Sequence, residues 1–213
     1  MRKKINEYKV YVFDLDGTLY DQPKLRTLMA LRLIRYYLFH PFAVRQLYIL
    51  KYFRKVKDSW TGSSCEDEII KKVASDINTD ADSVRMIVRK WIYDEPLSVI
   101  GTTKDRRIGE WIEKLQKAGK TVLVLSDYPT QDKLRALSLS VGGQYCTADE
   151  RIGQLKPSPK GLFVIMEDFG VSPEDILMIG DREEKDGECA KGAGADCLIL
   201  PRHIGRRTLD YEI

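Results

Sequence analysis

Short apolar runs at residues 10–13, 121–125, 144–146, 176–179 and 197–200 recur along the chain, and those in its second half alternate with stretches of helical periodicity. Helices are expected around 107–118, 131–139, 159–169 and 187–192. Strands that alternate with helices predict βαβ units, and therefore a parallel sheet. Residues 23–93 break the alternation. They read as successive helices with a polar interruption at 59–64. The first of these stretches is apolar on more than one face, with Leu28, Leu31, Leu33, Ile34, Tyr36, Tyr37, Leu38 and Phe39 close together, so it calls for packing on several sides. Pro41 should end or kink that helix after His40. Arg32, Arg35 and Arg45 interrupt the run before it reaches the roughly 20 residues of a membrane span. Two-sided packing in a cap or a dimer is the expectation. The predicted fold class is α/β, a Rossmann-like parallel sheet core formed by 1–22 and 101–213, with 23–100 inserted as a helical cap subdomain.

At 213 residues and 43% hydrophobic content the chain can bury one core, with or without a sizeable insertion. Charged Met1-Arg2-Lys3-Lys4 is not followed by an apolar region with a cleavage site, so a secretory signal is not supported and a cytoplasmic location is expected. Cys65, Cys146, Cys189 and Cys197 lack CxxC spacing and clustered histidines, which argues against a zinc site and a disulfide framework. The net charge of +3 is unevenly spread: no acid lies between Asp21 and Asp58, where Lys24, Arg26, Arg32, Arg35, Arg45, Lys51, Arg54, Lys55 and Lys57 all fall. Such a region suits an anionic ligand, an anionic membrane face or nucleic acid, in that order, and a solvated helix face competes with all three.

Chemistry concentrates at the ends of the predicted strands. Asp14 and Asp16 follow the first run, and alternation lets their side chains converge on one small volume before Gly17 turns the chain. Two close carboxylates repel unless a cation or a shared proton intervenes, which makes Mg²⁺ the natural third party. Ser126 and Asp127 end the run at 121–125, where a hydroxyl and free amides suit phosphate oxygens. Lys156, with Lys160 as the alternative, supplies a point charge in a loop. The run at 176–179 discharges into Gly180, Asp181 and Asp186, whereas Glu183 and Glu184 read as solvated. Asp14, Asp181 and Asp186 form a sufficient Mg²⁺ ligand set, to which the Asp16 backbone carbonyl could add.

This set resembles the haloacid dehalogenase superfamily, on the motifs Asp14-Leu15-Asp16-Gly17-Thr18, Ser126, Lys156 and Gly180-Asp181 with Asp186. The layout is similar to its capped branch, which includes phosphoglycolate phosphatases. The resemblance implies a Mg²⁺-dependent hydrolase of small phosphomonoesters, with Asp14 as nucleophile and Asp16 as general acid and base. Lys156, Ser126 and the Leu15 and Asp127 amides would stabilise the phosphoryl oxygens. Asp16 argues against a true dehalogenase, which lacks that acid. A sugar phosphomutase and a non-catalytic regulatory protein on the same fold are the alternatives. Arg32, Arg35, His40 and Arg45 are candidates for recognising a second anionic group. A small phosphorylated metabolite is the expected partner, with a lipid phosphate or membrane surface less favoured. No recognised motif supports nucleic acid. The chain is expected as a monomer or a cap-mediated homodimer.

Overall fold

In a computed structural model, residues 3–63 and 66–207 are described. The apolar runs form five parallel strands: β1 Val10–Phe13, β2 Thr121–Ser126, β3 Gly143–Cys146, β4 Ile176–Gly180 and β5 Asp196–Ile199. Their order in the sheet is β3-β2-β1-β4-β5. The chain therefore winds outward from β1 to β3 and then returns to the other side of β1. That reversal opens a crevice between β1 and β4 beyond their carboxyl ends, the usual place for a ligand in such sheets.

Helices cover both faces of the sheet. On one face Tyr11, Phe13, Val122, Val124, Leu177 and Ile179 pack with α6 (Arg106–Lys117), and Phe13 meets Trp111 edge to face at 5.3 Å. On the other, Val10, Val12, Leu123, Leu125 and Met178 pack with α8 (Lys160–Phe169) and α9 (Glu188–Ala193). Alternate residues of β1, β2 and β4 thus serve opposite layers, which is why these strands read as continuous apolar runs. Between β2 and β3 lies the short α7 (Gln131–Ala136).

The helical segment between β1 and α6 consists of α1 Gln22–Phe39, α2 Arg45–Asp58, α3 Glu66–Asp76, α4 Ala81–Val88 and α5 Glu95–Ile100, with a π-helical turn at Arg89–Asp94. Asp21 caps α1 by accepting from the Lys24 amide at 2.9 Å, and the helix stops at Phe39, two residues before Pro41. Phe53, Ile69, Ile70, Val73, Val84 and Val88 are buried at the centre of the segment and join the same apolar cluster as the α6 face of the sheet. Within the chain α1 packs on one side only. Leu25, Met29 and Tyr37 are buried, but Leu31, Ile34 and Leu38 on the opposite side are 60%, 59% and 74% exposed. The polar interruption falls between α2 and α3, and its last residue, Ser64, lies outside the described residues, as does Cys65. Cys146 and Cys189 are buried, Cys197 is partly so, and all three are free thiols.

Candidate active site

β1 and β4 deliver the acids. Asp14 sits one residue past β1, its amide donating to the Ile179 carbonyl at 2.7 Å, and its carboxylate is nearly buried. Asp181 follows β4, and Asp186 is turned back toward it by a π-helical turn at Glu183–Gly187. One carboxylate oxygen from each of Asp14, Asp181 and Asp186 lies within 4.8 Å of the other two. Two glycines make this approach feasible. A Cβ on Gly180 would stand 2.2 Å from Asp186 Oδ2, and one on Gly17, whose φ is +100°, would stand 2.6 Å from Asp181 Oδ2.

Lys156 reaches into the cluster from the loop before α8. Its Nζ donates to Asp14 Oδ1 at 2.5 Å, to Asp186 Oδ1 at 2.7 Å and to the Leu125 carbonyl at 3.3 Å. Burial works against the lysine's charge, but Asp14 and Asp186 outweigh it and hold the ammonium well above its ordinary range. Asp14 is raised by burial, which the opposing pull of Lys156 does not cancel, and Asp186 and Asp16 raise it further. Asp181 is raised to about 6, first by burial and then by Asp186. Three carboxylates against one ammonium leave a formal charge of −2 in a buried volume. Asp181 Oδ1 is buried with no hydrogen-bond partner. An all-oxygen donor set with a surplus of negative charge and an unpartnered acceptor suits a hard divalent cation such as Mg²⁺.

Asp16 lies three residues past β1, in a turn, and its carboxylate is held by partners other than those of the three acids. Oδ1 accepts from Lys133 Nζ at 2.6 Å and from the Tyr20 hydroxyl, and Oδ2 accepts from Ser126 Oγ at 3.5 Å. Burial opposes the Asp16 charge, but Lys133 and then Tyr20 outweigh burial and lower its pKa. Asp14 and Asp16 nevertheless border one crevice, since the Asp16 charge contributes to the raised pKa of Asp14.

The remaining expected residues divide cleanly. Ser126 is buried at the end of β2 and accepts from the Tyr128 amide at 3.1 Å. Asp127 turns its carboxylate to the Lys156 amide (3.0 Å) and Thr147 Oγ1 (3.0 Å), so it braces the lysine loop. The Leu15 and Asp127 amides have no hydrogen-bond partner among the described residues. Lys160 is exposed, as are Glu183 and Glu184. None of the four cap candidates is placed at the acids. Arg32 binds Glu95 and Ser98 within the helical segment. Arg45 caps the end of α3 through the Ile77 and Asn78 carbonyls. His40 stacks on Tyr36 with ring centres 4.2 Å apart, and Arg35 faces solvent. The α1 face carrying Leu25, Met29 and Tyr37 packs inward and leaves these cations elsewhere.

Four further residues border the site without having been singled out for it. Lys57, at the end of α2, is buried with Nζ 3.9 Å from the centre of the Tyr128 ring. Arg54, one turn earlier, keeps an exposed side chain within range of the charges of Tyr128, Arg26 and Tyr20. The Arg207 guanidinium donates to the Gly17 carbonyl, to the Thr18 carbonyl at 2.8 Å and to Asp105 Oδ2 at 2.9 Å, locking the turn that carries Asp16. Lys133 had a weak positional signal, in the helix that follows β2 at the crevice end of the sheet.

A family model described as haloacid dehalogenase-like hydrolase matches residues 8–194. The chain belongs to the haloacid dehalogenase-like hydrolase family. Relatives of this hydrolase include a phosphoglycolate phosphatase of Aquifex aeolicus, 26% identical over 90% of the chain and 84% of the relative. Another, from Nitrosospira multiformis, is 23% identical over 96% of the chain and 88% of the relative. Among solved structures, the putative HAD-hydrolase YfnB of Bacillus subtilis, bound to magnesium, superposes with a TM-score of 0.64 at 17% identity, covering 93% of this chain and 89% of that one. The last likeness concerns the fold alone, and it agrees with the parallel five-stranded sheet of this HAD-like hydrolase.

Proposed function

We propose that this chain is a Mg²⁺-dependent phosphatase that hydrolyses a small phosphomonoester through an aspartyl-phosphate on Asp14. The observation that carries the reading is the buried cluster of Asp14, Asp181 and Asp186 around Lys156, which is costly to fold unless it serves a cation and an anionic substrate. Asp14, Asp181 and Asp186 would hold Mg²⁺, which when bound supplies positive charge against the phosphoryl oxygens.

An Asp14 carboxylate oxygen attacks phosphorus, the P–O bond to the leaving alcohol breaks, and Asp16 delivers a proton to the departing oxygen. Water then attacks the aspartyl-phosphate, Asp16 takes its proton, and inorganic phosphate leaves with Asp14 restored. The two halves need Asp16 in opposite states. Lys133 and Tyr20 hold it as the base; for Asp16 to act as the acid, Lys133 must turn from it to the incoming phosphoryl oxygens. Lys156 keeps Asp14 oriented and offsets charge on the transferring group, while the Ser126 hydroxyl and the Leu15 and Asp127 amides donate to its oxygens. Residues 23–100 act as a cap on the core of 1–22 and 101–213, with Arg54 and Lys57, rather than Arg32, Arg35, His40 and Arg45, nearest the substrate.

Phosphoglycolate is the first substrate to test, because the curated relatives carry that name. Release of phosphate from a panel of small phosphomonoesters is expected with Mg²⁺ and not with chelator. A panel with no turnover above an Asp14→Asn control would sink the proposal.

A further inference from the structure

The helical segment exposes an apolar and basic tip that the catalytic reading does not use. On α1, Leu31, Ile34 and Leu38 are spaced so that they fall on one stripe, and all three face solvent. At the turn, Phe39 is 75% exposed and Phe42 fully so. The stripe continues on α2 through Val44, Leu47 and Tyr48, of which Val44 and Tyr48 are at least half exposed. Together these side chains present several hundred Å² of contiguous apolar surface, at or above the size of the largest patch on an ordinary monomer. Arg35, Arg45 and Lys51 on the same two helices are exposed, Arg45 while donating to the Ile77 and Asn78 carbonyls. The only acids of the α1–α2 hairpin and its caps, Asp21 and Asp58, lie at its other end.

We propose that this hairpin tip docks the protein on an anionic membrane surface. Apolar side chains that enter the interface and exposed cations on the same helices that meet lipid phosphates are the two contributions such attachment needs. Charge selects the bilayer over a second copy. A two-fold contact would bring two basic tips together, with no acid on either helix of the tip to pair Arg35, Arg45 and Lys51. Among the described residues no helix is long and apolar enough to cross a membrane. An 18-residue α1 spans about 27 Å, which separates the tip from the strand ends and leaves the crevice open to soluble substrate.

Co-sedimentation of the full chain with vesicles tests this directly. Binding to phosphatidylcholine vesicles containing phosphatidylserine is expected to exceed binding to phosphatidylcholine alone at least tenfold at low salt, and to fall steeply as salt is raised. Phe39→Ser with Phe42→Ser, and separately Arg35→Glu with Lys51→Glu, should each lower the bound fraction about tenfold while the far-ultraviolet spectrum, the melting temperature and turnover of soluble substrate stay unchanged. Three results overturn the proposal: no pelleting with anionic vesicles, equal binding to neutral ones, or a dimer in sedimentation equilibrium that the Phe39/Phe42 variant dissociates.

Discussion

Asp181→Asn should stabilise the metal-free protein at alkaline pH and abolish its response to Mg²⁺. The Asp181 carboxyl is pushed from the ordinary 3.8 to about 6 by burial and by Asp186, with its Oδ1 unpartnered. A folded-state pKa above the unfolded one means that the folded chain binds more protons over that interval. The associated stability is present below about 3.8 and lost as pH rises through about 6. The full loss corresponds to about 3 kcal/mol. Asn removes that charge penalty, but it also gives up the 3.6 Å contact with Arg202 and buries an amide. The Arg202 side chain is more than half exposed, so its ion pair contributes little. A net gain of roughly 1–2 kcal/mol remains, or about 2–8 °C in Tm for a chain of this size. Thermal melts of both proteins in chelator at pH 4.5 and pH 8 read the difference, which should be near zero at the lower pH and positive at the higher. Added Mg²⁺ at about 100 times its Kd should stabilise the wild type by about 2.7 kcal/mol and the variant by much less. A variant less stable than wild type at pH 8 without metal, or equally stabilised by Mg²⁺, would refute the reasoning.

Lys133→Met should raise the Asp16 pKa, because it removes the charge and hydrogen bond that lower it; the limb of the pH–rate profile set by Asp16 then moves to higher pH and kcat falls, and an unmoved profile would count against that assignment. Gly180→Ala should cost about 1–3 kcal/mol in denaturant melts and most of the activity, since the added Cβ meets Asp186 Oδ2 at 2.2 Å. Arg54→Ala should raise KM about tenfold for phosphomonoesters carrying a second anionic group and much less for those without one, as measured by initial rates; a drop in kcat with unchanged KM would remove Arg54 from substrate recognition.

The sheet was legible because β1, β2 and β4 are buried on both faces, so hydrophobicity alone marks them to within a residue or two. The weaker β3 was placed one residue short, since Gly143 carries no apolar signal. Asp14, Asp181, Asp186 and Lys156 were legible as chemistry without a buried apolar reason to be there. Alternation could not give the partners of Asp16, because it governs only residues still in the strand and Asp16 lies in the turn that follows β1. Arg207 reaches Gly17 across 190 residues, and Tyr20 meets Asp16 only through the turn geometry, so neither has a signature in its own neighbourhood. The cap cations failed for a related reason. Composition locates basic residues on a helix, but which side faces inward is decided by partners such as Ile49 and Phe53 from another helix.

Phosphoryl transfer through Asp14 can be read on the enzyme itself. Wild type and Asp14→Asn are mixed with Mg²⁺ and the best substrate of the panel, quenched in acid within the first turnovers, digested and mapped by mass spectrometry. One phosphoryl group on the peptide carrying Asp14 in the wild type, and none on that peptide in the variant, is the expected result. Undiminished turnover by Asp14→Asn, or a phosphoryl group on any other residue that turns over at the catalytic rate, would contradict the assignment of Asp14.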